Sequence, residues 1–197
     1  PWEKSLRIIY ELSNALDYMH QQGFVHRDVK PENVMLAERG PVLMDFNLVY
    51  KAEMTVLTAT GQFVGTPAYL APEALSGRQG KQADIFSLGV MLWELITGCE
   101  VLSQAGNLIE LARMWQGEGL TPPSELHPSL SKKVDEVIAR STARSLDERY
   151  PSAAAFGAAV KELSRGSSPL LSVESAPESK LAQGSAKELA QGSAKEL

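Results

Sequence analysis

The residues best able to do chemistry stand together in one run, His26-Arg27-Asp28-Val29-Lys30-Pro31-Glu32-Asn33. It gathers a base, an acid, an ammonium and an amide into one loop. Taken singly, each has an ordinary explanation, since an Asp or Lys in a loop is normally just solvated. The residues immediately downstream give the run its meaning. Two short apolar stretches, Val34-Met35-Leu36 and Val42-Leu43-Met44, flank the turn-like Ala37-Glu38-Arg39-Gly40-Pro41 and read as a β-hairpin. Pairing Leu36 with Val42 across that turn sets Asn33 opposite Asp45. Neighbouring strands lie about 4.8 Å apart, and Mg²⁺ holds oxygen ligands at about 2.1 Å. One ion therefore fits between the Asn33 carbonyl oxygen and the Asp45 carboxylate at the open end of the hairpin. A plainer reading has Asn33 cap the loop and Asp45 begin a turn. Just upstream, Asp28 can orient a hydroxyl nucleophile and accept its proton. Lys30 can neutralise charge growing on a transferred phosphoryl group.

Such a loop needs a scaffold, and the sequence supplies a mostly helical one. Leu6, Ile9, Leu12, Leu16 and Met19 recur at spacings of three and four, which predicts an amphipathic helix over Ser5–Gln22, with Gly23 placed to end it. Residues 46–82 are rich in Thr, Gly, Pro and Ala without a period, as in a long functional loop. Helical patterns follow at 83–97, 107–116, 131–142 and 152–164, with Pro122-Pro123 and Pro128 marking loops. Residues 164–197 hold no aromatics and carry a unit that repeats from Leu181 to Glu188 and from Leu189 to Glu196. One Leu per repeat drifts around a helix, and Gly184 and Gly192 weaken it further. This tail reads as a disordered or weakly helical extension, with a partner-binding amphipathic segment as the alternative.

Composition excludes several classes. With 197 residues, 44% hydrophobic and 22% charged, the chain fits one globular domain plus an extension. A net charge of −5 offers no basic field for nucleic acid. The single Cys99 excludes an internal disulfide framework and a cysteine-rich zinc site, and fits a reducing, cytoplasmic setting. The most apolar stretch, Ile85–Thr97, contains Glu94 and falls short of the roughly 20 residues of a membrane span. No secretory signal opens the sequence and no initiator Met is present, which fits a start inside a longer protein.

The run His26–Asn33, Asp45-Phe46 and Ala71-Pro72-Glu73 resemble the catalytic-loop, metal-binding and activation-loop-end signatures of eukaryotic-type protein kinases. The resemblance covers residues 1–163, in the family's order. Asp84-Ile-Phe-Ser-Leu-Gly89 and Arg149 in Asp147-Glu148-Arg149-Tyr150 look like its later landmarks. It implies the C-terminal lobe of a kinase: a mostly α bundle, within an α+β parent fold, carrying a small catalytic hairpin and a long activation loop. It also implies ATP and Mg²⁺ as cofactors and a protein with Ser or Thr hydroxyls as substrate. By this resemblance Asp28 is the catalytic base, Lys30 contacts the γ-phosphate, and Asn33 and Asp45 hold Mg²⁺. Met35 forms an apolar floor under adenine, and Arg27 reaches a phosphate on the activation loop. His26 packs against Phe46, and Thr66 helps hold Asp28 and Lys30 near the substrate hydroxyl. Glu73 pairs with Arg149, and Asp84 accepts backbone N–H bonds from the catalytic loop. Lys30-Pro31 and Gly65-Thr66-Pro67-Ala68-Tyr69 look like a Ser/Thr rather than a Tyr kinase. Leu57–Gly61 resembles bacterial members, with Thr55, Thr58 and Thr60 as candidate phosphorylation sites.

Two departures stand out. Asn47 occupies the place of the glycine that follows Asp-Phe in the family, and Asn is the residue that best substitutes for Gly in the left-handed region. The sequence also contains no G-x-G-x-x-G loop and no V-A-I-K-type strand. The expectation is a C-lobe without its N-lobe, as a fragment or a natural truncation, inactive alone and with a normally covered surface exposed. The alternative is a non-catalytic kinase-like binding module or scaffold.

Overall fold

A computed structural model of the chain describes residues 2–45, 67–76, 80–117 and 119–165. They lie within one compact unit, Pro1–Ser167. The chain opens with helix α1 (Trp2–Gln21), whose apolar stripe Leu6, Ile9, Leu12 and Leu16 is fully buried. The stripe ends on His20, which is buried, while Met19 is only partly so. Gly23 stops the helix at φ +85, with Gly23 N bonded to His20 O and Phe24 N to Met19 O. That pair of bonds is a Schellman cap, and it needs the positive φ that glycine adopts freely.

A 3-10 turn, Pro31–Asn33, leads into β1 (Val34–Ala37), which pairs antiparallel with β2 (Gly40–Leu43). The register corrects the one expected from sequence by one residue: Met35 faces Val42 and Leu36 faces Pro41. The turn is Glu38-Arg39 alone, not a five-residue loop. Two-residue turns match the twist of their strands, and Gly40 at φ +125 takes the conformation that closure requires. Asn33 consequently lies opposite Met44, whose N–H donates to Asn33 O at 2.8 Å. Met35, Leu36 and Val42 are 47%, 61% and 43% exposed, so the hairpin presents an apolar surface to solvent.

Of the long loop read over 46–82, residues 67–69 and 72–76 form two further 3-10 turns. Then comes α2 (Lys81–Thr97), buried without a break from Ala83 to Trp93. A helix apolar on every side belongs in the middle of a domain, and α1, α5, α6 (Lys132–Ser141) and α7 (Ala153–Arg165) all pack on it. Gly89 lets α6 approach so closely that a Cβ there would sit 2.2 Å from Ser141 Oγ. Two short helices occupy stretches read as loops: α3 (Val101–Ala105) and α5 (Pro123–Leu126), the latter begun by a proline at its first position. Between them, α4 (Leu108–Gln116) is capped by the Asn107 side chain, which accepts from Ile109 N and Glu110 N at 3.0 Å. No helix among the described residues is long and apolar enough to cross a membrane. Phe46, Asn47, Thr55, Thr58, Thr60, Thr66 and the repeat-bearing tail lie outside the described residues.

Candidate active site

The site is built outward from Asp84 in the first turn of α2, a carboxylate with no solvent exposure. Its Oδ2 accepts from His26 N at 2.9 Å and its Oδ1 from Arg27 N at 2.8 Å. This is the backbone anchoring expected of Asp84. His20 Nε2 adds a third contact to Oδ2 at 2.7 Å. Arg27 sits at φ 67, a left-handed conformation costly for a residue with a Cβ, and the bond to Asp84 helps hold it there.

His26 joins the loop to the hairpin. Its Nδ1 accepts from Asp28 N at 3.3 Å, so Nε2 carries the hydrogen and donates to Met44 O at 3.0 Å. Met44 is thus bonded through both its N–H and its carbonyl, to Asn33 O and to His26. The next residue, Asp45, is exposed and turns at φ 62. The expected packing of His26 against Phe46 lies outside the described residues.

Around this frame the predicted polar groups converge. Lys30 Nζ lies 2.9 Å from Asp28 Oδ2, both only partly exposed. Asn33, 7% exposed, donates its Nδ2 to the Asp28 carbonyl and to Oδ2, each at 2.8 Å. With the amide nitrogen committed to Asp28, Oδ1 is the oxygen left to accept or ligate. That oxygen and the Asp45 carboxylate form the hard donor set that Mg²⁺ takes when it keeps several waters and binds phosphate oxygens. Among the described residues no group of three or more His, Cys, Asp or Glu gathers as a metal cage, so the donors fit that sparse mode. Met35 stands on the exposed hairpin, open to a flat apolar ligand. Arg27 Nε is buried with no hydrogen-bond partner among the described residues, and the loop expected to bring it a phosphate lies outside them.

Two further contacts hold the segment after Thr66. Glu73 and Arg149 form a bidentate pair at 2.7 and 3.1 Å, as expected. Tyr69 donates its hydroxyl to Glu94 Oε2 at 2.5 Å, and its carbonyl accepts from Ser87 Oγ at 2.7 Å. Burial, then its bond to Glu94 and that carboxylate's charge, push the Tyr69 phenol above its ordinary range. Glu94 uses its other oxygen to accept from Val101 N at 2.8 Å. Sequence patterns assign no role to His20, Tyr69 or Glu94. The one signal for His20 is its place, one turn beyond Leu16 on the apolar stripe.

The protein kinase domain model matches residues 3–158. The chain is 37% identical over 164 residues to the probable serine/threonine-protein kinase pknA2 of Bifidobacterium longum, covering 82% of this chain and 21% of that protein. It is 38% identical over 160 residues to the serine/threonine-protein kinase PksC of Streptomyces coelicolor, covering 79% and 29%. It is also 34% identical over 166 residues to the tyrosine-protein kinase MasK of Myxococcus xanthus, covering 79% and 26%. The chain therefore spans less than a third of the length of each of these relatives. Among solved structures, the PknI kinase domain of Mycobacterium tuberculosis superposes with a TM-score of 0.60 at 27% identity, over 83% of this chain and 55% of that one. Loop, hairpin, buried anchor and Glu73–Arg149 pair thus occur in a chain matched over most of its length, and it belongs to the protein kinase domain family.

Proposed function

We propose that this chain carries the substrate-side half of a serine/threonine protein kinase active site, a C-lobe over residues 1–163 followed by an extension over 164–197. The observation that carries the reading is the triple contact among Asp28, Lys30 and Asn33 on a loop anchored by a buried carboxylate. Asp28 would orient the Ser or Thr hydroxyl of a protein substrate and take its proton. Lys30 would neutralise charge on the moving phosphoryl group. Asn33 Oδ1 and Asp45 would hold Mg²⁺ under the phosphates of ATP, and Met35 would lie beneath the adenine. When bound, the cation supplies positive charge to phosphate oxygens and aligns them. Arg27, with its unpartnered buried Nε, would meet a phosphate on Thr55, Thr58 or Thr60, and Thr66 would steady Asp28 and Lys30. The names of two relatives, together with Lys30-Pro31, favour Ser/Thr over Tyr acceptors. The single, exposed Cys99 favours a reducing, cytoplasmic workplace.

Transfer of labelled γ-phosphate from ATP to a Ser/Thr-containing protein tests the reading in the protein that carries this chain. Asp28→Asn lowers kcat by about 10² to 10⁴ if Asp28 is the base; unchanged turnover removes it from that role. The present sequence, without a G-x-G-x-x-G loop, gives no measurable turnover by itself. A scaffold role is the second reading, favoured by the exposed apolar hairpin. It prevails if the parent protein binds partners through Met35, Leu36 and Val42 and transfers no phosphate.

A further inference from the structure

His20 is 3% exposed at the end of the α1 core stripe. A histidine in such a place requires a hydrogen-bond partner, and across the domain that partner is Asp84, with Nε2 2.7 Å from Oδ2. His20 Nδ1 is buried without a partner among the described residues. A hydrogen on Nδ1 would be a buried donor with nothing to accept it, so the ring carries its hydrogen on Nε2 and donates to Asp84.

That bond acts on the catalytic loop at one remove. Asp84 has two oxygens and receives three donors, one from α1 and two from consecutive backbone amides of the loop. A carboxylate held only by His26 N and Arg27 N is free to swing with the loop that it anchors. The third donor comes from a rigid helix on the opposite side and fixes the plane of the carboxylate independently of the loop. Arg27, at φ 67, is the residue that most needs a fixed acceptor, because a left-handed backbone relaxes once its tie slackens. Asp28 leaves the chain one residue later. We infer that His20 is a positioning residue of this site: acting through Asp84, it sets the backbone of His26 and Arg27 and hence the direction of the Asp28 side chain. The functional meaning rests on the kinase reading; the geometry does not.

The test uses the ¹⁵N-labelled chain and reads the His26 and Arg27 amides. Bonded to a carboxylate, both resonate downfield and exchange slowly with solvent. His20→Met removes the donor and keeps the bulk, whereas His20→Gln returns an N–H at similar reach. His20→Met is expected to speed exchange of both amides about tenfold and move both upfield, with α7 amides unchanged, while His20→Gln stays within about threefold of the parent. Should the Met variant fail to fold, His20→Asn, too short to reach Asp84, takes its place. Unchanged amides in the donor-less variant overturn the inference. So does a Gln variant that loses both amides while α7 keeps its protection. No nucleotide enters the measurement, so a failure of phosphate transfer, which would count against the kinase reading, leaves this result to stand or fall alone.

Discussion

Glu73→Gln is the sharpest probe of how the segment after the activation loop is held. The Arg149 side chain has no exposure, and that of Glu73 has 9%. Every guanidinium N–H is used: Nε bonds Ala143 O at 3.0 Å, Nη1 bonds Glu73 Oε1 and Gln82 O, and Nη2 bonds Glu73 Oε2 and Ala143 O. The Gln amide keeps the shape but turns one acceptor into a donor facing a donor, and it leaves the cation without its counter-charge. Removing one member of a buried pair costs about 3–5 kcal/mol. For a folded unit of this size each kcal/mol moves Tm by about 2–4 °C, so the variant should melt about 6–20 °C lower. Urea titration should give the same loss through the midpoint, with the slope unchanged. Arg149→Met is also destabilising, since it orphans two carbonyls as well as Glu73. The double variant Glu73→Gln/Arg149→Met should nevertheless lose less than the sum of the singles by about 0.5–3 kcal/mol, because no buried charge is left unpaired. A Glu73→Gln melting point within about 3 °C of the parent, or strictly additive singles, would refute the reasoning and make the pair a solvated contact.

Three other outcomes rest on neighbouring contacts. Asn33→Ala and Asp45→Asn should each weaken Mn²⁺ uptake in the presence of ATP by about tenfold or more, read by electron paramagnetic resonance; equal affinity in both variants would count against the donor set. Alkaline melting should expose Tyr69: its phenol is held protonated above the ordinary range, so the unfolded chain loses its proton first, near pH about 10, and stability falls as pH rises beyond that point. Tyr69→Phe should flatten that alkaline slope, while Tyr150, raised by burial, keeps part of it. Gly89→Ala would set a methyl 2.2 Å from Ser141 Oγ and 2.8 Å from its Cβ, and should destabilise by about 1–3 kcal/mol in denaturant titration.

Helix existence and the catalytic constellation were the legible parts of the chain, for physical reasons. The Leu6–Leu16 stripe has the period of a buried face, and the anchor, ion pair and loop residues belong to ordered motifs whose spacing is local. The short helices α3 and α5 were not legible, because four or five residues are too few to show a period and their stability comes from tertiary contacts. The hairpin register was misread for a related reason. Five turn-prone residues suggested a loop of that length, yet Gly40 and Pro41 fit within the strand pairing. His20 and Tyr69 act through partners 64 and 25 positions away, and pattern reading carries no such information.

The slipped register shows what actually brings Asn33 and Asp45 together. Direct cross-strand pairing was the expected cause, and it is absent. Instead Met44 is bonded to Asn33 on one side and His26 on the other, and Asp45 then turns through a left-handed conformation. Among the described residues only Arg27 and Asp45 take a positive φ without being glycine. One directly precedes Asp28, and the other is itself the proposed cation ligand. Such strain survives where neighbours over-determine it, and here each residue is tied by, or sits directly beside, bonds to a buried or semi-buried partner. Backbone and side-chain contributions are therefore separable at Asp45. Asp45→Gly keeps the left-handed turn and removes the carboxylate, whereas Asp45→Asn keeps both the turn and an oxygen. If the site depends on charge, the two variants bind cation equally poorly. If it depends on where the chain turns and on an oxygen at that place, the Asn variant retains more of the affinity, and the geometry around Met44 becomes the larger part of the explanation.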